Sequence, residues 1–168
     1  LIINQFACLP SDSSGTRHFS LSKYFHKYNW SAIIITGSIE HNTAKQRLTK
    51  NQKIKLEIID KVNFFLIRLI KHKSNSLKMR IINMILFFIK LITIKLDKYI
   101  DKPDIVIGST ISPLAALGAL TISWRYKVPF IYEVRDLWPE TLIEMNVIKR
   151  NGLISFLILT MAEIGVRF

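Results

Sequence analysis

Leu1-Ile2-Ile3-Asn4-Gln5-Phe6, Pro10-Ser11-Asp12-Ser13-Ser14-Gly15 and Ala32-Ile33-Ile34-Ile35-Thr36-Gly37, with the segment between the last two, decide the fold. The first run is apolar and stops at a turn-rich stretch, which reads as a buried strand followed by a loop. From Thr16 to Tyr28 the residues Phe19, Leu21, Tyr24, Phe25 and Tyr28 recur at three- and four-residue spacing, the mark of a helix with one apolar face. The run at Ala32 is β-branched and ends at Gly37, a second strand. Strand, loop, helix and strand make a βαβ unit, and a right-handed crossover sets its two strands parallel.

The alternation continues downstream. Residues 38–56 are polar and Lys-rich and are expected to form a solvated loop. Leu56 to Val62 alternates weakly and leads into Phe64-Phe65-Leu66-Ile67, a third strand. Lys71 to Ser76 breaks the pattern, and Leu77 to Ile100 predicts a long helix closed by Pro103. Asp104-Ile105-Val106-Ile107-Gly108-Ser109 reads as a fourth strand, Pro113 to Tyr126 as a helix, and Pro129 to Val134 as a fifth strand. A further helix is expected to Met145, and a last apolar one over Leu153 to Val166. Nearly continuous apolar strands alternating with helices predict an α/β fold: one domain over 1–168, a Rossmann-like parallel sheet with helices on both faces.

A length of 168 residues suits one domain, and 49% apolar with 11% aromatic residues excludes general disorder. Cys8 is the only cysteine, so no intrachain disulfide forms. The chain opens without Met, a basic leader or a small-residue cleavage site, as a strand in progress, and is expected to begin inside a longer protein. The net charge of +12 has three readings. Lys accompanied by many Ile and Asn is the usage of an AT-rich genome, with no function attached. An anionic membrane surface fits because the charges flank a very apolar segment. Nucleic acid is disfavoured, since no binding motif is present and the aromatics sit in apolar runs. The segment Ile81–Ile94 is broken by Asn83, Lys90 and Thr93, too short for the ~20 apolar residues of a membrane span. Two readings of helix 77–100 remain: packed against the sheet with one basic edge, or lying in the interface with Lys and Arg at the headgroups.

Ligands of open parallel sheets bind outside the carboxyl ends of the strands, and two loops there are chemically loaded. Ser13-Ser14-Gly15-Thr16-Arg17-His18 joins a glycine, a helix start and an arginine able to grip phosphate; the structural alternative is an ordinary helix cap. It lacks the three spaced glycines of a dinucleotide site. Glu133-Val134-Arg135-Asp136-Leu137-Trp138-Pro139-Glu140 sets four charges within eight residues at the end of a strand. They act on a ligand, or Arg135 forms a structural network with Asp136 or Glu133. His26, His41 and His72 have no ligand-spaced partners, which argues against a metal site. Neither a Walker loop nor a nucleophile elbow is present.

Tyr132-Glu133-Val134-Arg135-Asp136-Leu137-Trp138-Pro139-Glu140 resembles a signature of the family 4-type glycosyltransferases of bacterial surface polysaccharide synthesis, nearest to the fucosamine-transferase-like enzymes of O-antigen and capsule clusters. Asn4-Gln5-Phe6 with Ser14-Gly15-Thr16-Arg17 resembles that family's first strand and glycine-rich loop, and Pro103 to Ser109 and Pro129-Phe130 resemble later strands, in order from residue 2 to about 163. The resemblance implies the N-terminal, acceptor-side half of a GT-B fold, retaining transfer, a nucleotide-sugar donor, a lipid-linked glycan acceptor and no metal or other cofactor. It implies a cytoplasmic protein, peripheral on the inner face of the cytoplasmic membrane. It makes Glu133, Arg135 and Asp136 catalytic, and gives Gly15, Thr16, Arg17, His18 and Glu140 to substrate binding. Ser-Ser-Gly stands where relatives carry more glycines, and Met161 to Phe168 is unlike the family's continuation. The donor domain with its pair of glutamates is expected to lie beyond Phe168, which leaves the chain inactive alone. A membrane-associated binding module is the alternative. A sugar-nucleotide epimerase is disfavoured by Trp138-Pro139-Glu140 and by the basic apolar helix.

Overall fold

Ile2–Ile3 (β1) is the shortest strand and lies inside the sheet, flanked on both sides. In the computed structural model, which describes residues 1–12, 15–40, 42–72, 76–110, 112–135 and 152, β1 pairs in parallel with Ile33–Gly37 (β2) and with Val106–Ser109 (β5). Outside β2 lies Val62–Ile67 (β4), and outside β5 lies Phe130–Glu133 (β6), both again parallel. Ile54–Ile59 (β3) lies beyond β4, giving among the described residues a six-stranded sheet in the order β3-β4-β2-β1-β5-β6. Growth of the parallel sheet reverses between β1 and β5, and this is the topological switch point.

The period of two along the central strands sorts their side chains into two cores. Ile2, Ile34, Phe64 and Leu66 bury on one face with Phe19 from Arg17–Phe25 (α1). Ile3, Ile35, Phe65 and Ile67 bury on the other with Phe87 and Leu91 of Leu77–Thr93 (α2) and Ala115, Ala119 and Ile122 of Pro113–Tyr126 (α3). Close approach of α3 to β5 needs Gly108, where a Cβ would stand 2.8 Å from that of Ala119. The expected α/β sheet with helices on both faces is therefore present.

Several expectations are corrected. The third strand is a hairpin: β3 runs antiparallel to β4, so the sheet is parallel in all but one edge strand. Its turn, Asp60-Lys61, has φ of 46° and 68°, the paired left-handed geometry that suits the twist of a two-residue hairpin. Asp-Lys lacks the glycine that usually announces such a turn. Lys in this region carries a backbone penalty of about 1 kcal/mol, so Lys61→Gly is expected to raise stability by roughly 0.5–1 kcal/mol in urea unfolding; a loss instead would mean another turn geometry.

The stretch 38–56 is not a free solvated loop. Ser38, Ile39, Glu40, Ala44 and Leu48 are buried, the Arg47 amide donates to the Ser38 carbonyl, and Gln46 Nε2 donates to the Leu69 carbonyl. The lysines point outward while the small and apolar residues between them anchor the segment. The predicted 77–100 helix stops at Thr93. The Thr93 hydroxyl bonds back to the Ile89 carbonyl, Ile94 turns extended, and the Arg125 guanidinium caps the carbonyls of Ile92 and Ile94. A short 3₁₀ turn, Leu96–Lys98, follows. The first helix is likewise shorter than Thr16–Tyr28, ending at Phe25 before a 3₁₀ turn. The predicted helices after Asp136 lie outside the described residues.

Candidate functional site

The two loaded loops meet. β1 ends at Ile3, and the chain turns at once because Asn4 Oδ1 accepts the Phe6 amide. It returns to the same sheet edge as α1, whose first residues are Arg17 and His18. β6 ends at Glu133, in register with Ser109 at the end of β5. The Arg17 Nε donates to Glu133 Oε1 at 2.8 Å, and His18 Nε2 meets Glu133 Oε2 at 2.8 Å. Residues 115 and 116 positions apart in sequence thus share one carboxylate at the switch point.

The network also assigns protons. Asn4 Oδ1 is occupied by the Phe6 amide, so the Nδ2 group faces His18 Nδ1, at 3.3 Å, as donor. Nδ1 is then an acceptor and Nε2 carries the hydrogen that Glu133 receives. His18 is neutral with both ring nitrogens engaged. Burial lowers its pKa from the ordinary 6.5, against the opposing pull of the Glu133 carboxylate. For Glu133, burial opposes ionisation, but the hydrogen bonds from His18 and Arg17 outweigh it and hold the carboxyl below its ordinary 4.5.

Both shifts act in one direction. The unfolded chain binds these protons at higher pH than the folded one, so the stabilisation is complete above pH 6.5 for His18 and 4.5 for Glu133. It is lost as pH falls through the lower folded values. Thermal midpoints are expected to hold level just above pH 6.5 and to fall on acidification, with His18→Gln removing the upper part of the fall. A midpoint that rises on acidification from neutrality would contradict this protonation pattern.

The remaining site residues sit as follows. Arg17 is 63% exposed although its Nε is held by Glu133 Oε1. Thr16 stands at the N-cap of α1, but its hydroxyl makes no capping bond, which sets aside the simplest helix-cap reading of this loop. A Cβ on Gly15 would meet nothing within 4 Å, so no contact within the described residues requires glycine there. Arg135 is exposed, and its amide donates to the Thr110 hydroxyl at 2.7 Å. Asp136 and Glu140 lie outside the described residues. Among the described residues the charge partners of Glu133 are Arg17 and His18; the pairing of Arg135 with Asp136 considered from sequence falls outside the described residues.

Sequence reasoning passed over Asn4, Gln5, Ser109, Thr110 and Ser112, all buried at this edge. Ser112 caps α3 and donates its hydroxyl to Gln5 Oε1 at 3.1 Å. Their shared signal is a polar residue at the end of an apolar strand or within three positions beyond it. Gln5 also lines a cavity of about 20 Å³ with Glu40, His72, Arg80 and Asn83, large enough for one water. Among the described residues, no cluster of His, Cys, Asp and Glu could hold a metal ion.

The fold and this edge define an α/β domain with a Rossmann-like strand order and a polar cluster at its switch point. No protein-family model matches the chain, and neither a curated protein nor a solved structure matches it.

Proposed function

We propose that the chain is the acceptor-side half of a retaining glycosyltransferase of the GT-B kind, moving a sugar from a nucleotide sugar to a lipid-linked glycan in surface polysaccharide synthesis. The observation that carries the reading is the clamp of Glu133 on Arg17 and His18, formed between the two segments that resemble the family's glycine-rich loop and signature. Transfer breaks the bond from the anomeric carbon to the diphosphate oxygen and makes one to the acceptor oxygen, whose proton passes to the departing phosphate, so negative charge grows on that phosphate as the bond breaks. A guanidinium fixed beforehand through its Nε and largely exposed suits that charge. Both oxygens of Glu133 are engaged, so in this reading Glu133 positions Arg17 and His18. Gly15 and Thr16 border the anion at the open start of α1. Arg135, Asp136 and Glu140 keep the roles that the resemblance implies.

The test is transfer of labelled sugar from a panel of nucleotide sugars to lipid-linked acceptors, by this chain and by a version extended with a donor domain. Activity in the extended protein that is lost in Glu133→Ala supports the reading. Activity in neither overturns it.

A membrane-surface role is supported by α2. Its inward line is Asn83, Phe87 and Leu91, and its outward line is Ile81, Ile85 and Ile89, each about half exposed. Lys90, the cation inside the apolar run, turns its amino group to the Arg68 carbonyl at 2.7 Å. No helix among the described residues is long and apolar enough to cross a membrane. An outward isoleucine stripe on a chain of charge +12 suits the surface of an anionic bilayer. Flotation with phosphatidylglycerol vesicles at low salt is expected to carry the protein upward, and Ile85→Asp with Ile89→Asp to leave it behind. Wild-type protein that stays in the soluble fraction sinks this role.

A further inference from the structure

The outer strand β3 reads Ile54-Lys55-Leu56-Glu57-Ile58-Ile59. β4 covers one side of it, and among the described residues the other side is the edge of the sheet. Sheet edges are normally guarded by unpaired charge, proline or a bulge. Here the two charges neutralise each other, with Lys55 Nζ and Glu57 Oε2 at 2.9 Å. Leu56 and Ile58 are 49% and 72% exposed.

Hydrogen-bonding direction alternates along an antiparallel pair. The Lys53 carbonyl accepts the Arg68 amide, so Lys55, Glu57 and Ile59 also turn their peptide groups to β4. The peptide groups of Ile54, Leu56 and Ile58 turn to the open edge. The side chains of these three share the sheet face of Phe65 and α2, while Lys55 and Glu57 lie on the face of α1.

We propose that β3 is a dimer edge, pairing antiparallel with β3 of a second copy about a two-fold axis at Leu56. The strand is self-complementary in this register. Leu56 opposes Leu56, Ile54 opposes Ile58, and Lys55 opposes Glu57 of the second copy, twice. All three outward peptide groups on each copy find partners. A two-fold axis one residue earlier sets Lys55 against Lys55, and one residue later sets Glu57 against Glu57, so charge selects the middle register. The two six-stranded sheets become one continuous sheet, with an apolar strip on one face and two crossed ion pairs on the other. A short strand interface of this kind is small, so the dimer is reversible, with a dissociation constant on the order of micromolar.

Sedimentation equilibrium of the chain over a wide concentration range tests it, with circular dichroism confirming that each variant is folded. Wild-type protein is expected to dimerise. Lys55→Glu sets two carboxylates against the facing Glu57 residues and raises the dissociation constant about tenfold or more. Adding Glu57→Lys restores opposite charges and returns it to within about threefold of wild type. Independently, Leu56→Cys places two thiols on the axis at a Cα separation of about 5.5 Å, within disulfide reach, and oxidation yields a covalent dimer while Cys8 stays buried. A wild-type monomer throughout, an unchanged constant in Lys55→Glu, a charge swap as weak as the single change, or no covalent dimer from Leu56→Cys each overturns the proposal.

Discussion

Replacing Asp12 with alanine is expected to cost about 3–5 kcal/mol of stability, read from chemical unfolding. Asp12 and Arg47 form an ion pair whose side chains are only 6% and 9% exposed. The Arg47 Nη1 also donates to the Gly37 carbonyl at 3.1 Å, so the guanidinium joins the loop after β1, the end of β2 and the segment after it. Removing the carboxylate leaves a buried cation with, among the described residues, the Gly37 carbonyl as side-chain partner, which is the expensive case; replacing both partners by apolar residues is not. Asp12→Ala with Arg47→Met is therefore expected to recover much of the loss. A single change costing under about 1 kcal/mol, the range of an exposed pair, would show that water reaches the pair.

Arg17→Ala is expected to lower sugar transfer by the extended protein about 10²–10³-fold, the size seen when one fixed donor to developing charge is lost. Its effect on stability is expected to be small, since an ion pair with so exposed a partner contributes about 0–1 kcal/mol. The contrast separates a ligand contact from a structural one. Arg17→Lys is expected to rescue poorly, because an ammonium cannot hold Glu133 through one nitrogen and present two others. Glu133→Ala is expected to impair both properties, since it also strands the His18 Nε2 hydrogen in a buried position. Full activity in Arg17→Ala would remove this residue from the proposed site and, with it, the anion-binding role of the β1–α1 loop.

Local pattern made some of this architecture legible and left other parts hidden. The runs Ile33–Thr36 and Phe64–Ile67 are β-branched or aromatic and bounded by turn or polar residues, and they became β2 and β4. Ser112-Pro113 carries its own start signal, and α3 begins there with the Ser112 hydroxyl accepting the Ala115 amide. The hairpin turn at Asp60-Lys61 was illegible because Asp tolerates left-handed backbone but Lys does not favour it, and no glycine follows the Asp. Its geometry is imposed by pairing along β3 and β4. The burial of 38–48 was equally hidden, since it depends on Asp12, 35 positions from Arg47. Thr93 ended α2 early, and the capping Arg125 lies 31 positions beyond Ile94.

The candidate site divides in the same way. Sequence marked Gly15, Thr16, Arg17 and His18 in one segment and Glu133, Arg135, Asp136 and Glu140 in another, and set both at the carboxyl edge of the sheet, without placing any two of these side chains in contact. Their meeting depends on strand order. β1 and β6 flank β5, and α1 returns over the edge to bring Arg17 and His18 to Glu133. Hydrophobic periodicity is local, so sequence alone determined the α/β class and the βαβ unit. The antiparallel edge strand, the neutral His18 and the shared carboxylate follow from pairings between residues far apart in the chain. No local pattern encodes which strands become neighbours, and that choice belongs to the tertiary structure.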